Sequence, residues 1–161
     1  WGNGPQHTQA LYSLFGNVVG LKVVIPSTPQ MAKALLIAAA NDDNPVVFLE
    51  PRWLYQLKEQ VDEKEIEVSL TDSRIVTVGD DITIVSYGDG LIDTLKASAI
   101  LKSRGVNSEV IDLVSINPID YSKVFDSIKK TGRIMTVDTT NESFNVGSEV
   151  IAQVCRYSWG V

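Results

Sequence analysis

Asp81-Ile82-Thr83-Ile84-Val85-Ser86-Tyr87, followed by Gly88-Asp89-Gly90 and then Leu91 to Arg104, is the stretch that decides the fold. The first seven residues are a β-branched run bounded by turn residues, the signature of a buried strand. Leu91, Leu95, Ala99 and Leu101 or Lys102 then recur at helical spacing, up to Gly105 as the stop. Glu109 to Leu113 is the next strand. Asp120 caps a helix from about Tyr121 to Lys130 that Gly132 ends, Arg133 to Asp138 is a third strand, and Gly147 to about Tyr157 a closing helix. Strand and helix alternate throughout, which predicts an α/β fold: an open parallel sheet with helices on both faces.

Upstream, Leu21-Lys22-Val23-Val24-Ile25-Pro26 and Pro45-Val46-Val47-Phe48-Leu49-Glu50 read as two more buried strands. Between them Thr28 is placed as N-cap and Pro29 at the first helical position, with Met31, Ala32, Leu35, Leu36 and Ala39 sharing a face. This is a partial βαβ unit. From Gln56 to about Asp72 the charged residues Lys58, Glu59, Asp62, Glu63, Lys64, Glu65 and Glu67 show little periodicity. Either an interdomain linker or a solvated helical face accounts for them. The resulting division is 1–56, a linker 57–72, and 73–161.

The chain has 161 residues, 14 Lys plus Arg against 20 Asp plus Glu, and 44% apolar residues. A net charge of -6 argues against a nucleic-acid partner, since phosphate contacts need clustered cations. No apolar run reaches the roughly 18 residues of a membrane span, and no basic leader precedes an apolar stretch. The single cysteine, Cys155, rules out an internal disulfide and reads as a small buried hydrophobe. The cytoplasm is the expected compartment.

Three groups of residues could carry chemistry. Gly88-Asp89-Gly90 has two of the three glycines of a dinucleotide fingerprint. With Asn117 about one βαβ unit later it also resembles the Mg-diphosphate motif of thiamine-diphosphate enzymes. The simpler reading is a tight βα turn with Asp89 at the helix start, where an acid suits the dipole. Asn41-Asp42-Asp43-Asn44 places acids at a helix C-terminus, against the dipole. Asx-turn hydrogen bonds would offset this, as would a monovalent or hard cation. His7, after Gly2-Asn3-Gly4-Pro5-Gln6, presents an imidazole from a glycine- and proline-rich loop ahead of an apparent helix. It serves either proton transfer or capping.

Gln6-His7-Thr8-Gln9, Gly20-Leu21-Lys22-Val23-Val24-Ile25-Pro26-Ser27 and Asn44-Pro45-Val46-Val47-Phe48-Leu49-Glu50-Pro51 with Leu54-Tyr55 form one set of family blocks. Glu109-Val110-Ile111-Asp112-Leu113, Pro118-Ile119-Asp120 and Val146-Gly147-Ser148-Glu149 continue it in order. Together they resemble the beta subunit of thiamine-diphosphate-dependent 2-oxoacid dehydrogenases of the pyruvate and branched-chain type, within the transketolase-like superfamily.

The resemblance implies the end of a pyrimidine-binding domain over 1–56 and a transketolase C-terminal domain over 73–161. It implies a heterotetramer in which an alpha subunit supplies the site for thiamine diphosphate and Mg, beside a second beta subunit and a lipoyl-bearing acyltransferase. His7 matches the family's active-site histidine, and Ala39, Asp42 and Asn44 match positions that hold a structural potassium ion. The Gly88-Asp89-Gly90 turn falls in the domain that holds no cofactor.

The sequence departs from the family at Val114, where most members have arginine, and at Thr8, where serine is usual. The glutamate that activates the coenzyme lies upstream of Trp1. The 161 residues are therefore expected to be a fragment, inactive alone and without affinity for the coenzyme. A sugar-phosphate ketol-transfer enzyme and a non-catalytic assembly domain are the competing classes.

Overall fold

The computed structural model describes residues 4–64 and 66–158. Helix α1 (Tyr12–Gly16) leads into strand β1 (Lys22–Val24), helix α2 (Pro29–Ala40) and strand β2 (Val46–Phe48). Thr28 caps α2 as its sequence predicts, its hydroxyl accepting from the Met31 N–H at 3.2 Å, with Pro29 at the first position. The buried face of α2 is Met31, Ala34 and Leu35, backed by Ala38 and Ala39. Leu36, expected on that face, is 54% exposed. A short 3₁₀ turn, Arg52–Gln56, ends this part.

The second part contains β3 (Arg74–Thr77), β4 (Ile82–Ser86), α3 (Gly90–Ser103), β5 (Ser108–Asp112), β6 (Ser115–Asn117), α4 (Ser122–Thr131), β7 (Ile134–Thr136) and α5 (Val146–Ser158). Its sheet runs β3-β5-β4-β7, with β4 parallel to both β5 and β7. Gly105, at φ +83°, closes α3: its own N–H donates to Lys102 and that of Val106 to Leu101, satisfying the carbonyls a helix end leaves free.

Two strands depart from an all-parallel arrangement. The edge strand β3 pairs antiparallel with β5, and β6 leaves the second sheet to pair antiparallel with β1, giving a first sheet ordered β2-β1-β6. Both are short, and each is fixed by a distant strand rather than by its own periodicity. The main core accordingly spans both parts: Val23 and Ile25 pack with Val85, Tyr87, Ile111, Leu113, Ile116, Val124, Val150 and Val154.

The same core explains a correction. Cys155, expected to be buried, is exposed. Helix α5 turns Val146, Val150 and Val154 inward at four-residue spacing, which puts the next residue on the outer side.

Several hydroxyls buried between the second sheet and its helices are paired with one another. Thr83 on β4 meets Ser127 and Thr131 of α4 at 2.7 and 2.8 Å, and Ser98 of α3 meets Ser108 of β5 at 2.7 Å. Ala99, one of the residues that mark the helical spacing, faces out, because α3 buries Leu91, Thr94 and Ser98. Satisfied hydroxyls cost little to bury, so an apolar-only count of this helix misplaces its inner face.

The charged segment before β3 contains no helix among its described residues. It lies along α2: Lys33 Nζ donates to the carbonyls of Asp62 and Glu63 at 2.5 and 3.0 Å, and Gln30 Oε1 accepts from the Asp62 N–H at 2.7 Å. Leu70 beyond it is buried.

Asp120 precedes α4 and accepts from Ser122 N–H and Oγ at 2.9 and 2.6 Å, while Ser73 donates to its other oxygen. Burial works against ionisation here, but the Ser122 and Ser73 bonds outweigh it and hold the carboxyl well below the usual carboxylate range. A group depressed in this way stabilises the fold above its unfolded pKa of about 4, and the benefit is lost as pH falls through the folded value. Melting curves of the protein and of Asp120→Ala should therefore diverge above pH 5 and draw together as pH falls below about 4. A constant gap would exclude this role.

Candidate active site

His7 sits in a turn that the chain folds on itself. Its N–H donates to the Gly4 carbonyl at 3.2 Å, as does Thr8 Oγ1 at 2.9 Å, and Gln9 Nε2 donates to the Pro5 carbonyl at 3.1 Å. Gly4, at φ +75°, takes the left-handed conformation such a turn needs. The imidazole is exposed. Helix α1 begins five residues later, and its exit is tied down by Asn117 Nδ2, which donates to the Val18 carbonyl at 2.9 Å. Beside α1 opens a groove of about 1120 Å³, walled by Ala10, Leu11, Leu14, Asn117, Phe144 and Asn145.

Tyr12 of α1 reaches across to the second part, where its ring meets that of Tyr87 edge to face at 6.2 Å. Burial, with the carboxylates of Asp89 and Asp138 nearby, pushes the Tyr12 phenol up to about 12. The Tyr87 hydroxyl is buried without a well-formed hydrogen bond, and burial beside Asp138 pushes it further still. Asp138 accepts from Thr140 N–H and Oγ1 and from the Gly147 N–H, which fixes the loop before α5. Neither tyrosine is visible as a site residue in the sequence. The only signal is that Tyr12 lies five residues after His7.

Gly88-Asp89-Gly90 is a tight βα turn. Gly88 has φ +54°, and a Cβ there would come within 2.9 Å of Ile25 Cγ2. Asp89 stands at the start of α3 and accepts from Thr139 Oγ1 at 3.0 Å. Asn117 is in the other sheet, bonded to Val18. Among the described residues no three His, Cys, Asp or Glu gather as a metal centre.

At the C-terminus of α2, Asp42 Oδ1 accepts from the N–H and Nδ2 of Asn44, both at 2.9 Å, an Asx turn. Its other oxygen takes the Lys22 ammonium at 2.5 Å. The Lys22 bond, then those from Asn44, hold this carboxyl down at about 2. The acid at this helix end is thus answered by a protein cation. The Ala39 carbonyl nearby accepts a long bond, 3.4 Å, from the Asp42 N–H besides that of the capping Asn41.

A further buried acid joins the two parts. Asp112, at the end of β5, accepts from Ser27 Oγ at 2.6 Å and from the Val114 N–H at 3.2 Å. Arg74 Nε of β3 lies 3.3 Å away, out of line for a hydrogen bond, so this contact is an ion pair. Burial pushes the carboxyl up against these three partners. Val114 itself is buried with φ +63°, a conformation β-branched residues rarely adopt.

Residues 71–159 match the family "Transketolase, C-terminal domain" and residues 2–58 the "Transketolase, pyrimidine binding domain". The chain belongs to the transketolase family. It is 42% identical over 149 residues to a pyruvate dehydrogenase E1 component subunit beta of Acholeplasma laidlawii, an alignment covering 92% of this chain and 46% of the relative. To the beta subunit of acetoin:2,6-dichlorophenolindophenol oxidoreductase from Cupriavidus necator it is 39% identical, with 96% and 46% covered. To the mitochondrial pyruvate dehydrogenase E1 beta subunit of Saccharomyces cerevisiae it is 40% identical, with 95% and 43% covered. The likeness to 2-oxoacid dehydrogenase beta subunits thus runs over nearly the whole chain, which spans about half the length of these curated relatives. In fold it resembles a split-gene transketolase described as an inactive beta4 tetramer, with TM-score 0.79 and 23% identity over 93% of this chain and 49% of that one. It also resembles a Pichia stipitis transketolase, with TM-score 0.60 and 15% identity over 95% and 27%.

Proposed function

We propose that the chain is the beta-subunit portion of a thiamine-diphosphate-dependent 2-oxoacid dehydrogenase, acting with an alpha partner and a second beta subunit and passing its acyl product to a lipoyl-bearing acyltransferase. The observation that carries the reading is the exposed imidazole of His7, held on a tight turn within the pyrimidine-domain match. Thiamine diphosphate, when bound with Mg, supplies the nucleophilic carbon and the electron sink for decarboxylation. The residues of this chain fit that group only in part: the exposed ring can meet a coenzyme carried by another chain, while the described residues offer no cluster for Mg. His7 would hold or move a proton at the substrate's carbonyl oxygen, and the turn from Gly4 would aim it.

The test is an assay of the complete beta subunit with its alpha partner, reading reduction of 2,6-dichlorophenolindophenol with pyruvate, branched-chain 2-oxoacids and acetoin. Turnover with a 2-oxoacid supports the proposal, and none with any of them overturns it. Acetoin oxidation is the second reading, favoured by the 39% identity to the Cupriavidus necator subunit.

A potassium ion at Ala39, Asp42 and Asn44 belongs to the same proposal, held by main-chain oxygens because the Asp42 carboxylate is taken by Lys22. The complete beta subunit should then melt several degrees higher in potassium chloride than in tetramethylammonium chloride of equal ionic strength. Equal melting points would remove the ion.

A further inference from the structure

We infer that Tyr12 is a positioning residue for His7, its ring wedged against Tyr87 so that the second domain sets where the imidazole stands. The inference rests on the reading of His7 as the catalytic group. The turn from Gly4 to Gln9 is closed by bonds within itself, so its place in the molecule is inherited from α1. That helix is five residues long and none of them is fully buried. Leu14 and Phe15 are 64% and 38% exposed, whereas Tyr12 packs against the main core.

Besides the packing of α1 on β1 and β6, the segment is held by the Tyr12 ring at the end nearest His7 and by the bond from Asn117 to Val18 at the other. The wall that Tyr12 meets is buried and hydrogen-bonded. Tyr87 ends β4 and is buried, and the Asp138 carboxylate beside it is fixed by Thr140 and Gly147. An edge-to-face pair keeps the direction of the ring as well as its place, since aromatic quadrupoles favour that geometry. Without the ring, α1 loses its contact at the end nearest His7 and the turn can swing.

The experiment is a double-mutant cycle in the complete heteromer. Tyr12→Ala should lower kcat about tenfold or more, because small misplacement of a reacting group is costly, with KM little changed. Tyr12→Phe, which keeps the ring, should restore most of that loss. In a His7→Ala background, Tyr12→Ala should cost nothing further, an outcome a general packing role would not give. Equal losses in both backgrounds overturn the inference while leaving the role of His7 intact, as does full kcat in Tyr12→Ala beside an impaired His7→Ala. Full turnover in His7→Ala overturns the reading of His7 and this inference with it. Should Tyr12→Ala fail to assemble, Tyr12→Leu replaces it in the same cycle, with the same criteria.

Discussion

Replacing His7 by alanine in the complete heteromer should depress 2-oxoacid turnover by about 10² to 10⁴, the range removed with a positioned acid or base. Assembly should be unaffected, because the ring is exposed and the turn is held by the main chain of Gly4 and Pro5 together with the side chains of Thr8 and Gln9. The loss should fall on kcat and on kcat/KM together, as for a group acting in the transition state. Sedimentation of the variant at the size of the unaltered enzyme, with turnover also unaltered, would return His7 to a surface role.

The largest effect on stability is expected at Asp112. Asp112→Ala strips Ser27 of its acceptor and Arg74 of its counter-charge at a fully buried position, a loss of about 3 to 5 kcal/mol where one partner of a buried pair is removed. Asp112→Asn should cost less, since its amide oxygen keeps the bond from the Val114 N–H and its NH2 can donate to Ser27 Oγ in place of the bond that Oδ2 accepts, while the ion pair to Arg74 is given up. Urea unfolding of the complete beta subunit measures both. An alanine variant within about 1 kcal/mol of the parent would mean that the site relaxes without its carboxylate.

Much of this architecture is legible in the chain itself. The cap at Thr28, the stops at Gly105 and Gly132, and the order of the main strands follow from local chemistry that acts over a few residues. What is not legible depends on partners far along the chain. Strands β3 and β6 carry too few residues for a period, and they exist because β5 and β1 offer free edges. Lys22 closes on Asp42 across 20 positions, and Tyr12 meets Tyr87 from far along the chain. His7 stands out as the lone histidine after a glycine-rich turn, but its neighbours do not, because ring contacts between domains leave no spacing in either segment.

Strand β6 has a consequence for how such proteins can be recombined. The family boundaries, near residues 58 and 71, suggest two exchangeable modules. Yet Ser115 and Asn117, well inside the later module, supply the outer rung of the earlier module's sheet, with Ser115 Oγ donating to the Val23 carbonyl. A chimera spliced at that boundary would inherit a sheet woven from two parents. Heredity and folding here cut the chain at different places.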